Sequence, residues 1–444
     1  MVGESTDDES EAAGERAIAL LREPNVGIIG SLRVLNLRGA GLNTLPDSVG
    51  LCSRLRRLDV GGNPIADLPE ALVSLPVLEI VFAAGARFAQ IPAMLARCPA
   101  LRMVGFSNNL LTAVDGESLP EGLVWLVLAG NKIRELKNIA RLQRIRKLML
   151  SHNELTCEAL APCADIADLE MIRVAANRLE SFPEALLCHP RLSWVAVGGN
   201  PFAEASMRQR LATAAPLVDF TEVSLDGRLG SGAGATVYSA KWRGRDVAVK
   251  LWEGERFSDG TALGEWAANR VAGQPGHPSL VGVLGTFEEP RPGMVLEKIN
   301  GGVAAAGGPT FEPWTVTRDL VPAQGGRGPR LTAEAAITVA RAVVHACQYL
   351  HSRGLLHGDV YLHNTLVVPD GPNEHVGVKD VRLSDFGAAA AVDDARFFKL
   401  EARSFGWMLQ DLLELAVPLR SGSAGLMELL GTLRARCSCE DVAE

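Results

Sequence analysis

The sequence predicts two unlike folds in one chain: an α/β solenoid over residues 11–219, and an α+β domain of two lobes from residue 220 onward. Three observations carry this. A leucine-rich pattern returns every 22 to 24 residues through the first half, a glycine-rich segment and a lysine-bearing strand open the second, and a His-Gly-Asp cluster with a later Asp-Phe-Gly follows them. Composition agrees. At 47% hydrophobic and 22% charged, the chain can bury a sizeable core despite 45 Gly and 24 Pro, which excludes a disordered or collagen-like polymer. A net charge of −8 gives no basic field for nucleic acid.

The repeat reads L-x-x-L-x-L-x-x-N-x-L and starts at Leu32, Leu55, Leu78, Leu101, Leu123, Ile145, Leu169 and Leu192. Its ninth position is Asn63, Asn109, Asn131, Asn153, Asn177 and Asn200, and Ala40 and Ala86 in the other two. No single unit can bury its own apolar side, so neighbours must stack. The turn Asn is expected to donate its amide to carbonyls of adjacent coils, satisfying backbone groups in the bend. Over residues 25–205 the pattern resembles the leucine-rich repeat family, which implies a horseshoe with a strand-lined concave face. Residues 11–23 read as a capping helix, and residues 1–10 as an acidic tail. Side chains alternate along a strand, so the third and fifth positions face the concave side. They place Ile80, Phe82, Met103, Trp125, Val127, Met149 and Trp194 on one surface, where a protein partner or substrate is expected to bind, centred on Trp125.

The second half opens with Leu229, Gly230, Gly232 and Gly234, then Val237, then the strand Val247–Lys250, which carries Ala248. A glycine hairpin lets backbone N–H groups approach phosphates, and a lysine on the third strand neutralises them. This resembles the Gly-rich loop and V-A-V-K strand of protein kinases, with Ala235 where a third glycine is usual. The resemblance implies that these residues surround ATP and that Glu265, fifteen residues on, pairs with Lys250. His277–Val281 matches the family's H-P-N-[IL]-V turn. Met294–Ile299 matches its hinge, with Leu296 at the gatekeeper position and backbone at Glu297 and Ile299 meeting adenine. Residues 300–330 read as an inserted Gly- and Pro-rich loop, and a long helix is expected from Thr332. Leu366, on the strand after the catalytic cluster, completes the nucleotide set.

His357, Gly358, Asp359 and Asn364, followed by Asp385-Phe-Gly387, match the kinase catalytic signature. The resemblance implies that Asp359 takes the nucleophile's proton while Asn364 and Asp385 hold Mg²⁺. Departures are specific. Gly358 stands where Arg usually follows the His, Tyr361 replaces a Lys two residues after the Asp, and no A-P-E occurs. Glu401 heads a helix resembling D-x-x-S-x-G only 14 residues after Gly387. The whole resembles leucine-rich repeat proteins with a kinase domain bearing an H-G-D-x-Y-x-H-N loop.

The expected function is an ATP- and Mg²⁺-dependent phosphotransferase acting on protein Ser or Thr. A nucleotide-binding pseudokinase scaffold and a small-molecule kinase with a docking domain stand as alternatives. The eight Cys read as reduced thiols, since only Cys437 and Cys439 lie close together. Acidic residues Glu4 to Glu11 stand where a signal peptide needs positive charge. A cytoplasmic protein without a membrane span is expected.

Overall fold

The structure, a computed structural model, describes residues 16–211, 217–231, 234–255, 257, 259–273, 276–326, 328–372, 375–417 and 424–437. The acidic tail and the start of the expected capping helix lie outside the described residues, while residues 16–22 are helical. The chain divides into two compact units. The first takes residues up to Ile172 together with Asn177–Arg191; the second takes Arg173–Ala176 together with everything from Leu192.

The first unit is a leucine-rich solenoid. Six of its strands, β1 (Val34–Asn36), β2 (Arg57–Asp59), β3 (Ile80–Phe82), β4 (Met103–Gly105), β5 (Trp125–Val127) and β6 (Lys147–Met149), pair in parallel and in register. Each spans the third to fifth positions of its repeat, so one period in sequence becomes one lateral row in space. Ile80, Met103, Trp125 and Lys147 stand side by side in such a row. The central strand residues Leu58, Val81, Val104, Leu126 and Leu148 point inward and are fully buried. The return segments are short 3-10 turns entered from Pro46, Pro69 and Pro92, whose fixed φ suits the turn.

Asparagines tie the coils together. Asn131 donates through Nδ2 to Phe106 and Leu128 carbonyls, both at 2.9 Å, and accepts from Asn109 and Leu111 N–H at 3.1 Å. Asn109 and Asn153 repeat the pattern one coil away on either side.

The expected open apolar surface is reduced. Met103 is 1% exposed, and Ile80 and Met149 are also buried, leaving Phe82, Trp125 and Val127 half-buried. Lateral packing is one reason. Gly105 has no Cβ, and one placed there would sit 2.5 Å from the Phe82 ring, so the ring lies over the glycine. Lys147 Nζ covers the Trp125 ring at 4.5 Å, and the Arg57 guanidinium covers Phe82 at 5.5 Å.

In the second unit, Arg173 closes the strand β7 (Met171–Arg173), and β8 (Trp194–Ala196) leads into α1 (Pro201–Leu211). An antiparallel sheet follows: β9 (Val223–Ser231), β10 (Ala235–Trp242), β11 (Arg245–Trp252), β12 (Val283–Phe287) and β13 (Gly293–Glu297), in the order β9-β10-β11-β13-β12. Helix α2 (Ala262–Ala272) packs on it, capped where Thr261 Oγ1 accepts from Gly264 N–H at 3.0 Å. The lower lobe is built on α3 (Ala333–Ser352), the hairpin β14 (Thr365–Pro369) with β15 (Val378–Leu383), α4 (Arg396–Leu415) and α5 (Ala424–Cys437). The long helix begins one residue after Thr332, whose hydroxyl accepts from Ala335 N–H. Its Ala336, Val339, Val343, Ala346 and Leu350 stripe is buried in the lobe's core. Among the described residues no helix is long and apolar enough to cross a membrane.

Asn131→Ala removes four hydrogen bonds and strands buried backbone groups, so it should destabilise the solenoid by about 3 kcal/mol. A urea titration followed by circular dichroism should show the lower midpoint; an unchanged midpoint would refute the ladder's contribution.

Candidate active site

The upper sheet arranges its residues by register. Lys250 lies opposite Val237 on one side and Met294 on the other, while Ala248 lies opposite Leu296. Side chains two apart share a face, so Val237, Ala248, Lys250 and Leu296 project together. Gly230 pairs with Val237 at the strand's end, and a Cβ there would meet nothing. Leu229 is exposed on the same strand, and Gly234 accepts from Glu253 N–H through its carbonyl. Gly232 lies outside the described residues. Glu297 turns its N–H inward to the Gly282 carbonyl at 2.7 Å, and the Ile299 carbonyl closes a turn with Gly302. Leu366 is half-buried on β14, opposite Arg382.

Glu265 reaches Lys250 Nζ through Oε1 and accepts from Trp252 Nε1 at 2.9 Å through Oε2. It is 3% exposed, so the pair is buried and each charge depends on the other. Burial disfavours the ammonium, but the Glu265 carboxylate and then Asp385 together outweigh it and hold the Lys250 pKa above its usual value. Gly264, a poor helix former, is accounted for by the cap, since a Cβ would stand 3.1 Å from Thr261 Oγ1.

The loop His357–Asn364 is fixed from several sides. Glu401, buried on α4, accepts from Gly358 N–H at 2.7 Å and pairs with His351 Nε2 at 2.6 Å. His357 packs on Phe386 and its Nε2 meets the Ser384 carbonyl at 3.1 Å, linking the loop to the Asp-Phe-Gly turn. Asn364 donates to both the backbone carbonyl and Oδ2 of Asp359 at 2.9 Å. Ser384 donates N–H and hydroxyl to the Asn364 carbonyl, which keeps Asn364 beside Asp385. Asp385 is exposed, with φ of +62°. Asn364 and Asp385 present oxygen donors, the chemistry that suits Mg²⁺. The turn at His277–Leu280 holds this assembly: Leu383 N–H donates to Ser279, and Val281 N–H donates to Leu383.

Sequence reasoning did not assign Arg173 or Asp319 to this site, and it placed Trp194 elsewhere. Arg173 places Nη2 2.8 Å from Asp359 Oδ1 and pairs through Nη1 with Asp259. Trp194, expected on an open partner surface, is instead 2% exposed. Its ring stacks on Tyr361 at 4.9 Å and 4°, and its Nε1 donates to the Val360 carbonyl at 3.3 Å. Asp319, in the inserted segment, accepts from His363 N–H at 3.1 Å and meets His363 Nδ1 at 2.5 Å. Its neighbour Arg318 holds Asp411 and Glu414 of α4. The missing signals were physical. A loop without Lys or Arg needs a cation from elsewhere, and an Asp inside a Gly- and Pro-rich segment needs a buried partner.

Burial works against ionisation of Asp359, but Arg173, then His363 and His357, outweigh it and hold the carboxyl below its usual range. Burial lowers the His363 pKa, yet Asp319 more than compensates and the net shift is upward. Burial pushes Asp411 up to about 7 against the opposing pull of Arg318.

Comparison with known proteins agrees with this geometry. Residues 223–415 match the protein kinase domain family. The chain is 24% identical over 198 residues to "Probable serine/threonine-protein kinase gdt4" of Dictyostelium discoideum, covering 44% of this chain and 11% of that one. It is 25% identical to human mitogen-activated protein kinase kinase kinase 10, covering 45% and 20%. It is 31% identical to CBL-interacting protein kinase 29 of Oryza sativa, covering 41% and 39%. The chain therefore spans well under half the length of these relatives. Among solved structures it is similar to the Leptospira interrogans LRR protein LIC12759, at 25% identity and TM-score 0.35, over 39% of this chain and 51% of that one. The second unit thus carries a protein kinase domain, a fold that works with ATP and commonly a divalent metal.

His363 and Asp411 both bind their protons more tightly folded than unfolded, the histidine above 6.5 and the aspartate at about 7 rather than 3.8. Their stabilising contributions are therefore complete at low pH and lost as pH rises through the folded values. The melting temperature should fall by several degrees between pH 6 and 8. Asp319→Asn, which removes the histidine's carboxylate, should flatten that fall above pH 7, and an equally steep profile would contradict the pairing.

Proposed function

We propose that the protein is an ATP- and Mg²⁺-dependent kinase that phosphorylates Ser or Thr hydroxyls of proteins, with the repeats recruiting a partner or substrate. The observation that supports it is the buried Lys250–Glu265 pair, with Asp385 near enough to act on Lys250, together with the hydrogen bonds that tie Asp359 to Asn364 and Asn364 to Ser384 beside Asp385. Lys250 orients the phosphates of ATP. Asp359 positions the acceptor hydroxyl and receives its proton, being ionised at neutral pH. Asn364 and Asp385 would hold Mg²⁺, which bridges the phosphates and offsets their charge. The preference for Ser and Thr rests on the relatives, among them a probable serine/threonine-protein kinase. The half-buried Phe82, Trp125 and Val127 are what remains of the recruiting surface, alongside Lys147 and Arg57.

Label transfer from γ-³²P-ATP to the protein itself or to casein tests this. Asp359→Asn should lower transfer by about 10³-fold or more while ATP still raises the melting temperature. Lys250→Met should weaken both. Equal transfer by wild type and Asp359→Asn would refute the role of Asp359. Nucleotide stabilisation without transfer in any form would favour the scaffold.

A further inference from the structure

Charge spreads over the equatorial oxygens of a phosphoryl group in transfer, so a cation close to it lowers the barrier. The loop His357–Asn364 contains neither Lys nor Arg. Lys250, paired with Glu265, is assigned above to the phosphates of ATP and lies on the upper sheet, and His363 is paired with Asp319. Position 361 is unavailable for such a charge, because Tyr361 is buried and clamped between Trp194 at 4.9 Å and His363 at 4.8 Å. Arg173 stands in the right place. Its guanidinium spans from Asp259, in the segment before α2, to Asp359, and both Arg173 and Asp359 side chains are 10% exposed.

We propose that Arg173, delivered from the last residue of a repeat strand, supplies the cation that serves phosphoryl transfer at Asp359. The inference rests on the kinase function proposed above. A carboxylate has about four acceptor positions. Arg173 occupies one on Oδ1 and Asn364 one on Oδ2, so Asp359 retains capacity for an acceptor hydroxyl. In the step, the hydroxyl oxygen bonds to the γ-phosphorus and the bond to the β,γ-bridging oxygen breaks. ADP departs with that electron pair, and the hydroxyl proton passes to Asp359. Arg173 moves no proton, since its guanidinium stays charged throughout. It is a positioning residue: it holds the Asp359 carboxylate aimed and sets positive charge beside the reacting group.

Steady-state transfer from γ-³²P-ATP to casein, with MgCl₂ and the full chain, tests this through Arg173→Ala and Arg173→Lys. Arg173→Ala should lower kcat by about 10²-fold, the scale of losing one stabilising donor, with KM for ATP changed by less than about twofold. Arg173→Lys should recover most of the loss. A merely structural role would not lower kcat at an unchanged KM for ATP and be rescued by lysine. Arg173→Ala at wild-type speed or faster would overturn the proposal, showing a guanidinium that obstructs Asp359. Arg173→Lys no better than Arg173→Ala would overturn it too. Wild-type protein that transfers no label in an Asp359-dependent way would overturn the kinase function itself, and this proposal with it.

Discussion

The second unit depends on one close approach. At Gly358 the backbone has φ of +79°, and a Cβ would stand 2.7 Å from the Ala388 carbonyl oxygen and 2.8 Å from that of Val195. No other residue fits there without moving β8 or the turn after Asp-Phe-Gly. The glycine therefore does more than omit an arginine. It lets the loop bearing Asp359 lie directly against the strand Trp194–Ala196, which brings Trp194 onto Tyr361. Arg173, one strand back, then reaches Asp359.

Around that approach the buried charges are matched one to another, as they must be in a poorly solvated interior. Glu401 takes the Gly358 N–H and His351, Asp319 takes His363, Arg318 takes Asp411 and Glu414, and Glu265 takes Lys250. The Arg318 set matters architecturally, since it fastens the inserted segment to α4. A lower lobe without an A-P-E element thereby gains a different brace between distant parts of its chain. The inserted segment is consequently structural, although its composition reads as loop.

Much of this was legible in the sequence, for reasons that can be stated. The repeat period fixes which three residues form each strand, because strands recur at one position of a stacked coil. The Lys250–Glu265 pair was readable through the resemblance, which expects an acidic residue on the helix after the lysine-bearing strand, and the structure brings the two together. Burial of the concave side was not readable. Alternation says which way Met103 and Trp194 point, not what lies over them, and both proved buried. Asp319 and His363 are 44 residues apart with no periodic signal between them, so only three-dimensional packing reveals the pair. Arg173 was visible at a fifth position of its repeat, but nothing local distinguishes it from Arg57, which covers a phenyl ring instead.

The central claim is that the strand Trp194–Ala196 and the loop His357–Asn364 form one piece. Hydrogen–deuterium exchange of Trp194→Ala against wild type tests it most directly. Loss of the stacked indole and its bond to Val360 should speed exchange across residues 357–364 by about tenfold or more, the effect of losing roughly 1.4 kcal/mol of local stability, while the sheet β9–β13 keeps its protection. Unchanged exchange in the loop, with Trp194 gone, would contradict the claim.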